Sequence, residues 1–180
     1  MKIMIVDDEE MIRLGIEKIL SRMGLDIEII GSYGNGLEAM TAIGKLKSGE
    51  LDVLITDIKM PVMDGLKLLE KAKAYMPELA AIVLSGFNDF EYARQAIRYG
   101  VTDYFLKPLD KKELYEVLAK MKKLRSPKDE AVAHSELGHE AGQNSAPGSA
   151  RQEHPIVARV KQILDKEYDL EFHLERLAEK

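Results

Sequence analysis

Five times in its first two-thirds the chain passes from a short apolar run into a stretch whose apolar residues recur three and four apart. The runs are Ile3-Met4-Ile5-Val6, Ile27 to Ile30, Val53-Leu54-Ile55, Ala81 to Leu84 and Tyr104-Phe105-Leu106. Between and after them come the stripes. Ile12, Ile16, Ile19, Leu20 and Met23 form the first, and Ala39, Met40, Ile43 and Leu46 the second. Leu68, Leu69 and Ala72, then Ala93, Ala96 and Ile97, then Leu114, Val117, Leu118 and Met121 complete the set. Continuously apolar runs suit strands buried on both faces, and stripes at helical spacing suit amphipathic helices. Five β-then-α units in a row predict an α/β fold: a five-stranded parallel, doubly wound sheet with helices on both faces. Right-handed crossovers narrow the topology, and the order 2-1-3-4-5 is expected.

The periodicity stops near Arg125, so residues 1–125 read as one domain. Residues 126–154 are rich in Ser, Gly, Glu, Ala and His and contain no aromatic side chain. Such a composition cannot bury enough apolar surface to offset the entropy of ordering, so a flexible linker is expected. A pattern returns in residues 155–180, where Pro155 suits a helix start and Ile156, Val160, Ile163 and Leu164 form a stripe. A shorter stripe follows at Leu174, Leu177 and Ala178. With no cysteine, disulfides and thiolate metal sites are excluded. The net charge of −5 argues against a nucleic-acid-seeking surface for the chain as a whole. No apolar run is long enough to span a membrane, and the acidic start MKIMIVDDEE lacks a signal-peptide pattern, so a cytoplasmic location is expected.

In an open α/β sheet, ligands bind outside the carboxyl ends of the strands, where the strand order reverses. Here that switch falls between the first strand, ending in Asp7-Asp8, and the third, ending in Asp57. Three converging carboxylates repel one another unless a cation intervenes. Mg²⁺ prefers oxygen ligands and is typically held by one or two carboxylates plus phosphate oxygens. The fourth strand ends in Ser85-Gly86 and the fifth in Lys107-Pro108. A hydroxyl and an ammonium are groups that stabilise the spread charge of a phosphoryl group in transfer. A carboxylate can serve as the nucleophile, and Asp57, followed by Ile58-Lys59-Met60-Pro61, is the best candidate. Gly86 leaves room for the donor.

These pieces together resemble a two-component response regulator receiver domain, a flavodoxin-like fold. The matching segments are Val6-Asp7-Asp8, Asp57-Ile58-Lys59-Met60-Pro61-Val62-Met63-Asp64-Gly65, Leu84-Ser85-Gly86 and Lys107-Pro108. Each is weak alone; the ordered set on five strand ends is specific. The resemblance implies that Asp57 is the phosphoacceptor and that Mg²⁺ is held by Asp8 directly, Asp7 mostly through water, Asp57, and the backbone carbonyl of Lys59. It implies that Ser85 and Lys107 bind phosphoryl oxygens and that the Lys107–Pro108 peptide is cis. It makes Tyr104 a switch aromatic that swings inward as Ser85 moves toward the phosphate. The implied partner is a sensor histidine kinase, with a homodimer as a further candidate. The chain would be a phosphoacceptor signalling protein that promotes its own phosphorylation and dephosphorylation, rather than an enzyme.

The stretch Gly86-Phe87-Asn88-Asp89-Phe90-Glu91-Tyr92 is similar to receivers joined to AraC-type DNA-binding domains, the YesN-like group. Residues 155–180 resemble the opening of such a domain but stop before a recognition helix. DNA is therefore expected as a partner only of a full-length form with a complete helix-turn-helix, whose output would be transcriptional control.

Two rivals stand beside this reading. A haloacid-dehalogenase-type phosphatase also uses an Asp nucleophile and Mg²⁺, but its usual motif has a second Asp two residues on, where this chain has Lys59. A pseudo-receiver that only binds partners usually lacks part of the acid–Ser–Lys set. Elsewhere the bland reading is preferred. Gly34-Asn35-Gly36 lacks phosphate-loop spacing and reads as a turn. His134 and His139 have no companion ligands, and Glu9 and Glu10 suit a helix N-terminus.

Overall fold

The computed structural model describes residues 1–86 and 90–124. The linker and C-terminal fragment expected at 126–154 and 155–180 lie outside these residues, as do Phe87, His134, His139 and the side chain of Phe90. The elements run β1 (Lys2–Val6), α1 (Glu10–Ser21), β2 (Glu28–Tyr33), α2 (Gly36–Ile43), β3 (Val53–Asp57), α3 (Gly65–Tyr75), β4 (Ala80–Ser85), α4 (Phe90–Arg98), β5 (Asp103–Leu106) and α5 (Lys111–Leu124). All strand pairs are parallel, in the order β2-β1-β3-β4-β5. The expected fold is the one observed.

Successive strand residues point to opposite faces, and both faces are covered. Ile3, Ile5, Val53, Ile55, Ile82, Leu84 and Phe105 pack against Ile16 and Leu20 of α1 and Leu114, Leu118 and Met121 of α5. The alternate residues face the other layer. There Met4, Val6 and Leu54 meet Ala39 and Ile43 of α2 and Leu68 and Ala72 of α3. Ala81, Val83 and Tyr104 meet Leu66 and Leu69 of α3 and Ala93 and Ala96 of α4. This double burial is why, after Lys2, the three inner strands carry no polar residue before Thr56 and Asp57 at the end of β3 and Ser85 at the end of β4.

β2 is an edge strand and departs from the sequence reading. It continues past Ile30 through Gly31 and Ser32 to Tyr33. The register against β1 shifts between Ile3 and Met4. Gly31 does not break the strand because its missing side chain is replaced by a neighbour. A Cβ there would lie 2.5 Å from the Tyr33 ring. Asn35, expected in a turn, is the N-cap of α2 and accepts a hydrogen bond from the Glu38 N–H at 3.0 Å. Gly100, just past the end of α4, has φ +69. Its N–H donates to Ile97 O and that of Val101 to Ala96 O, the paired bonds of a Schellman cap.

Candidate functional site

β1, β3, β4 and β5 each deliver a polar side chain to one edge of the sheet. Asp7 is 0% exposed, Asp57 5% and Ser85 1%, so these are core positions given to polar groups. Burying a charge is costly unless it is paired. Lys107, just past β5, supplies the pairing. Its Nζ lies 2.8 Å from Asp7 Oδ2 and 2.9 Å from Asp57 Oδ1, with Glu9 Oε1 at 3.6 Å. The approach to Asp7 Oδ2 is off the direction a hydrogen bond needs, so that buried oxygen has ionic contact but no hydrogen-bond donor. The other oxygen, Oδ1, accepts from the Glu9 N–H at 3.0 Å. Ser85 is tied to the same corner through its carbonyl, which accepts from the Lys107 N–H at 2.7 Å. The Lys107–Pro108 peptide is cis.

The loop after β3 closes on itself. The Lys59 N–H donates to Asp57 Oδ2 at 2.9 Å, and the Gly65 N–H donates to Ile58 O at 2.9 Å. A Cβ on Gly65 would lie 1.8 Å from Asp57 O, so only glycine permits α3 to begin this close to the acid. Between them the Met63 N–H donates to Pro61 O at 2.7 Å around Val62, whose φ is +68. That is the strained, positive-φ form of the γ-turn, on a β-branched residue. Asp64 then caps α3, accepting from the Lys67 N–H at 2.8 Å.

Electrostatics follow from burial. The Asp57 carboxyl is raised above its usual range chiefly by desolvation, with a further push from Asp7; the Lys107 bond and charge and the Lys59 N–H oppose this. For Lys107, burial acts to lower the ammonium, but the contacts to Asp7 and Asp57 outweigh it and the net shift is upward.

Asp8, Glu9, Asp57, Ile58, Lys59, Ser85, Gly86 and Lys107 line a depression of about 220 Å³ at this edge. Nothing lies within 4 Å of a Cβ built on Gly86, which leaves the entrance clear. The expected residues are thus brought together with one qualification. Asp8 is exposed and lines the rim, rather than joining the buried pair. Among the described residues no group of three or more acidic, His or Cys side chains is gathered for a metal ion. The buried pair still fits Mg²⁺, which needs only one or two carboxylates alongside water and phosphate. Asp7 Oδ2 offers an undonated lone pair, and one cation already reaches both acids.

Tyr104 is 2% exposed, so its ring is already inside in this structure. The Lys59 side chain is turned out, its ammonium 5.2 Å from the centre of the Tyr92 ring on α4. Two contacts were not legible in the sequence. Arg13 Nη1 donates to Asp7 O at 2.6 Å, and Gly65 makes its close approach to Asp57. Position six residues on from Asp7 gives Arg13 the right helical turn, but nothing in the residue order marks it.

A doubly wound parallel sheet with buried acids, a hydroxyl and a lysine at its switch point defines a class of switch-point proteins with the flavodoxin-like fold. The family model described as response regulator receiver domain matches residues 3–119, and the chain belongs to that family, the receiver module of two-component systems. It is 41% identical over 126 residues to the uncharacterized transcriptional regulatory protein YesN of Bacillus subtilis (strain 168), covering 68% of this chain and 33% of that protein. It is 33% identical to the transcriptional regulatory protein HptR of Staphylococcus aureus (strain N315), covering 67% and 46%. The chain thus spans from a third to about half of these relatives. Among solved structures, the REC domain of AraT, a response regulator from Geobacillus stearothermophilus, matches with a TM-score of 0.60 at 37% identity, covering 75% of this chain and 97% of that one. A receiver domain protein from Clostridium thermocellum matches with a TM-score of 0.62 at 28% identity, covering 69% and 95%.

Proposed function

We propose that this chain is a phosphoacceptor switch in which Asp57 takes a phosphoryl group from a phosphohistidine of a sensor kinase, with Mg²⁺ bound. The observation that carries the reading is the Lys107 ammonium, held between Asp57 and Asp7 at the mouth of the depression. In the transfer an Asp57 carboxylate oxygen forms the new O–P bond. The N–P bond of the donor breaks, and its electron pair stays on the imidazole nitrogen. Lys107 moves from resting contact with Asp57 Oδ1 to a phosphoryl oxygen, and the Ser85 hydroxyl takes another. The carboxylates of Asp7, Asp8 and Asp57 and the Lys59 carbonyl would hold Mg²⁺, which when bound neutralises charge on the phosphoryl oxygens. The new charge, about −1.5 to −2 at neutral pH, is what the loops after β3 and β4 then respond to. Tyr104 is the aromatic through which that response reaches the α4–β5–α5 face, and a second copy of the chain is a candidate for that face. In a longer protein with a complete DNA-binding domain, the output is control of transcription. A cytoplasmic location follows from this reading; among the described residues no helix is long and apolar enough to cross a membrane.

The phosphatase rival has no support at the position it depends on. Lys59 stands there, and its side chain leans toward Tyr92. The test is intact mass after incubation with acetyl phosphate and Mg²⁺. One phosphoryl adduct that requires Mg²⁺ and disappears in Asp57→Ala is expected. A folded protein that takes no adduct, or an adduct that survives in the variant, overturns the assignment.

A further inference from the structure

One groove on the described surface is remote from the acids. It has a volume of about 750 Å³ and runs between α1 and α5. Its rim carries Lys18, Arg22, Lys111 and Lys112 against one acid, Glu116. None of these four cations is in an ion pair among the described residues. The floor is apolar, from Ile19, Met23 and Tyr115, which is 44% exposed. Gly15 lies in the middle of α1 and opens the floor further. A helix-interior glycine costs about 1 kcal/mol relative to alanine. Neither a positive φ nor a close contact accounts for it, since nothing lies within 4 Å of a Cβ built there.

The chain contains a segment of complementary chemistry. Glu167-Tyr168-Asp169-Leu170-Glu171-Phe172 alternates acid with apolar residue, and Asp165 precedes it. Roughly forty residues separate it from Leu124 and could span about 130 Å if extended. α5 itself is only about 21 Å long. A second copy fits less well, because a symmetric pairing across this groove would set its four cations against four more.

We propose that residues 165–172 dock in the α1–α5 groove of the same chain, acids on the basic rim and Tyr168, Leu170 and Phe172 over the apolar floor. The contact brackets the C-terminal segment against the receiver on a surface separate from the phosphoacceptor edge. It does not depend on phosphorylation of Asp57.

The chain has no cysteine, so a disulfide reports the contact directly. In the full chain, the pair Gly15→Cys and Leu170→Cys is oxidised mildly. The control pair is Ser48→Cys, in the exposed loop after α2, with the same Leu170→Cys. An intramolecular disulfide forming at least about ten-fold faster in the groove pair is expected. Adding Asp169→Lys and Glu171→Lys should bring the rate down to the control. Thermal melting checks that each variant folds, and Tyr115→Cys replaces Gly15→Cys if that one does not. Equal rates for groove and control overturn the proposal, as does a rate indifferent to charge reversal. A disulfide formed mainly between chains assigns the groove to a second copy and also overturns it.

Discussion

Among the described residues Lys107 is the only cation in contact with both Asp7 and Asp57, so its removal falls on both. Breaking a buried ion pair from one side typically costs about 3–5 kcal/mol, and Lys107→Met should lose about 3 kcal/mol in urea unfolding. A change in midpoint with the slope unaltered is the expected form. Asp57→Asn should act the other way. The folded protein holds the Asp57 proton more tightly than an ordinary carboxyl does. Its contribution to stability is therefore full below the usual value of 3.8 and is lost as pH rises through the raised folded value. At neutral pH the ionised buried group is a cost that asparagine lacks. The variant should melt above the parent at pH 7, with the difference shrinking toward pH 4. A lower melting point at pH 7 would mean that the Lys107 attraction outweighs desolvation. Asp7, Asp57, Ser85 and Lys107 were legible because they close apolar runs, and in a parallel sheet every such end lies on one edge. Gly65 stands in the segment that follows Asp57, but residue order does not reveal the reason for a glycine there. The contact with Asp57 O depends on how the seven-residue loop between β3 and α3 closes, and residue order does not carry that geometry.

At the scale of elements, the β3–α3 connection holds the most strain. Val62 is 78% exposed, so no packing explains a β-branched residue at φ +68. Left-handed backbone costs such a residue roughly 1–2 kcal/mol, and asparagine tolerates it better. Val62→Asn should raise stability by about 1 kcal/mol, read as a higher melting temperature. Asp64→Ala should lower it by about 1 kcal/mol through loss of the α3 cap. The helices were readable from their stripes because tertiary burial follows the 3.6-residue period. β2 was read short because glycine commonly ends strands, and the covering of Gly31 by Tyr33 is a contact between residues on one face of a single strand.

For the molecule as a whole, the two-layer arrangement was legible from parity. Odd and even residues of β1 and β3 divide between the α1/α5 layer and the α2/α3 layer. The α1–α5 groove was not legible, since a lone glycine in a stripe does not announce a depression. Leu54 is fully buried in the sheet beneath α2 and α3, and Leu54→Ala should cost about 2–5 kcal/mol of global stability. The central position of β1 also has a consequence for synthesis. Of the described elements it leaves the ribosome first, yet both its neighbours, β2 and β3, are translated after it. At about 5–20 residues per second, the nascent Ile3–Val6 segment waits roughly 3–10 seconds for Val53–Asp57 to arrive. Until Glu28–Tyr33 follows it, the most apolar stretch of the early chain has no strand to pair with, and until β3 arrives it has a partner on one side only. It is the segment a chaperone would meet.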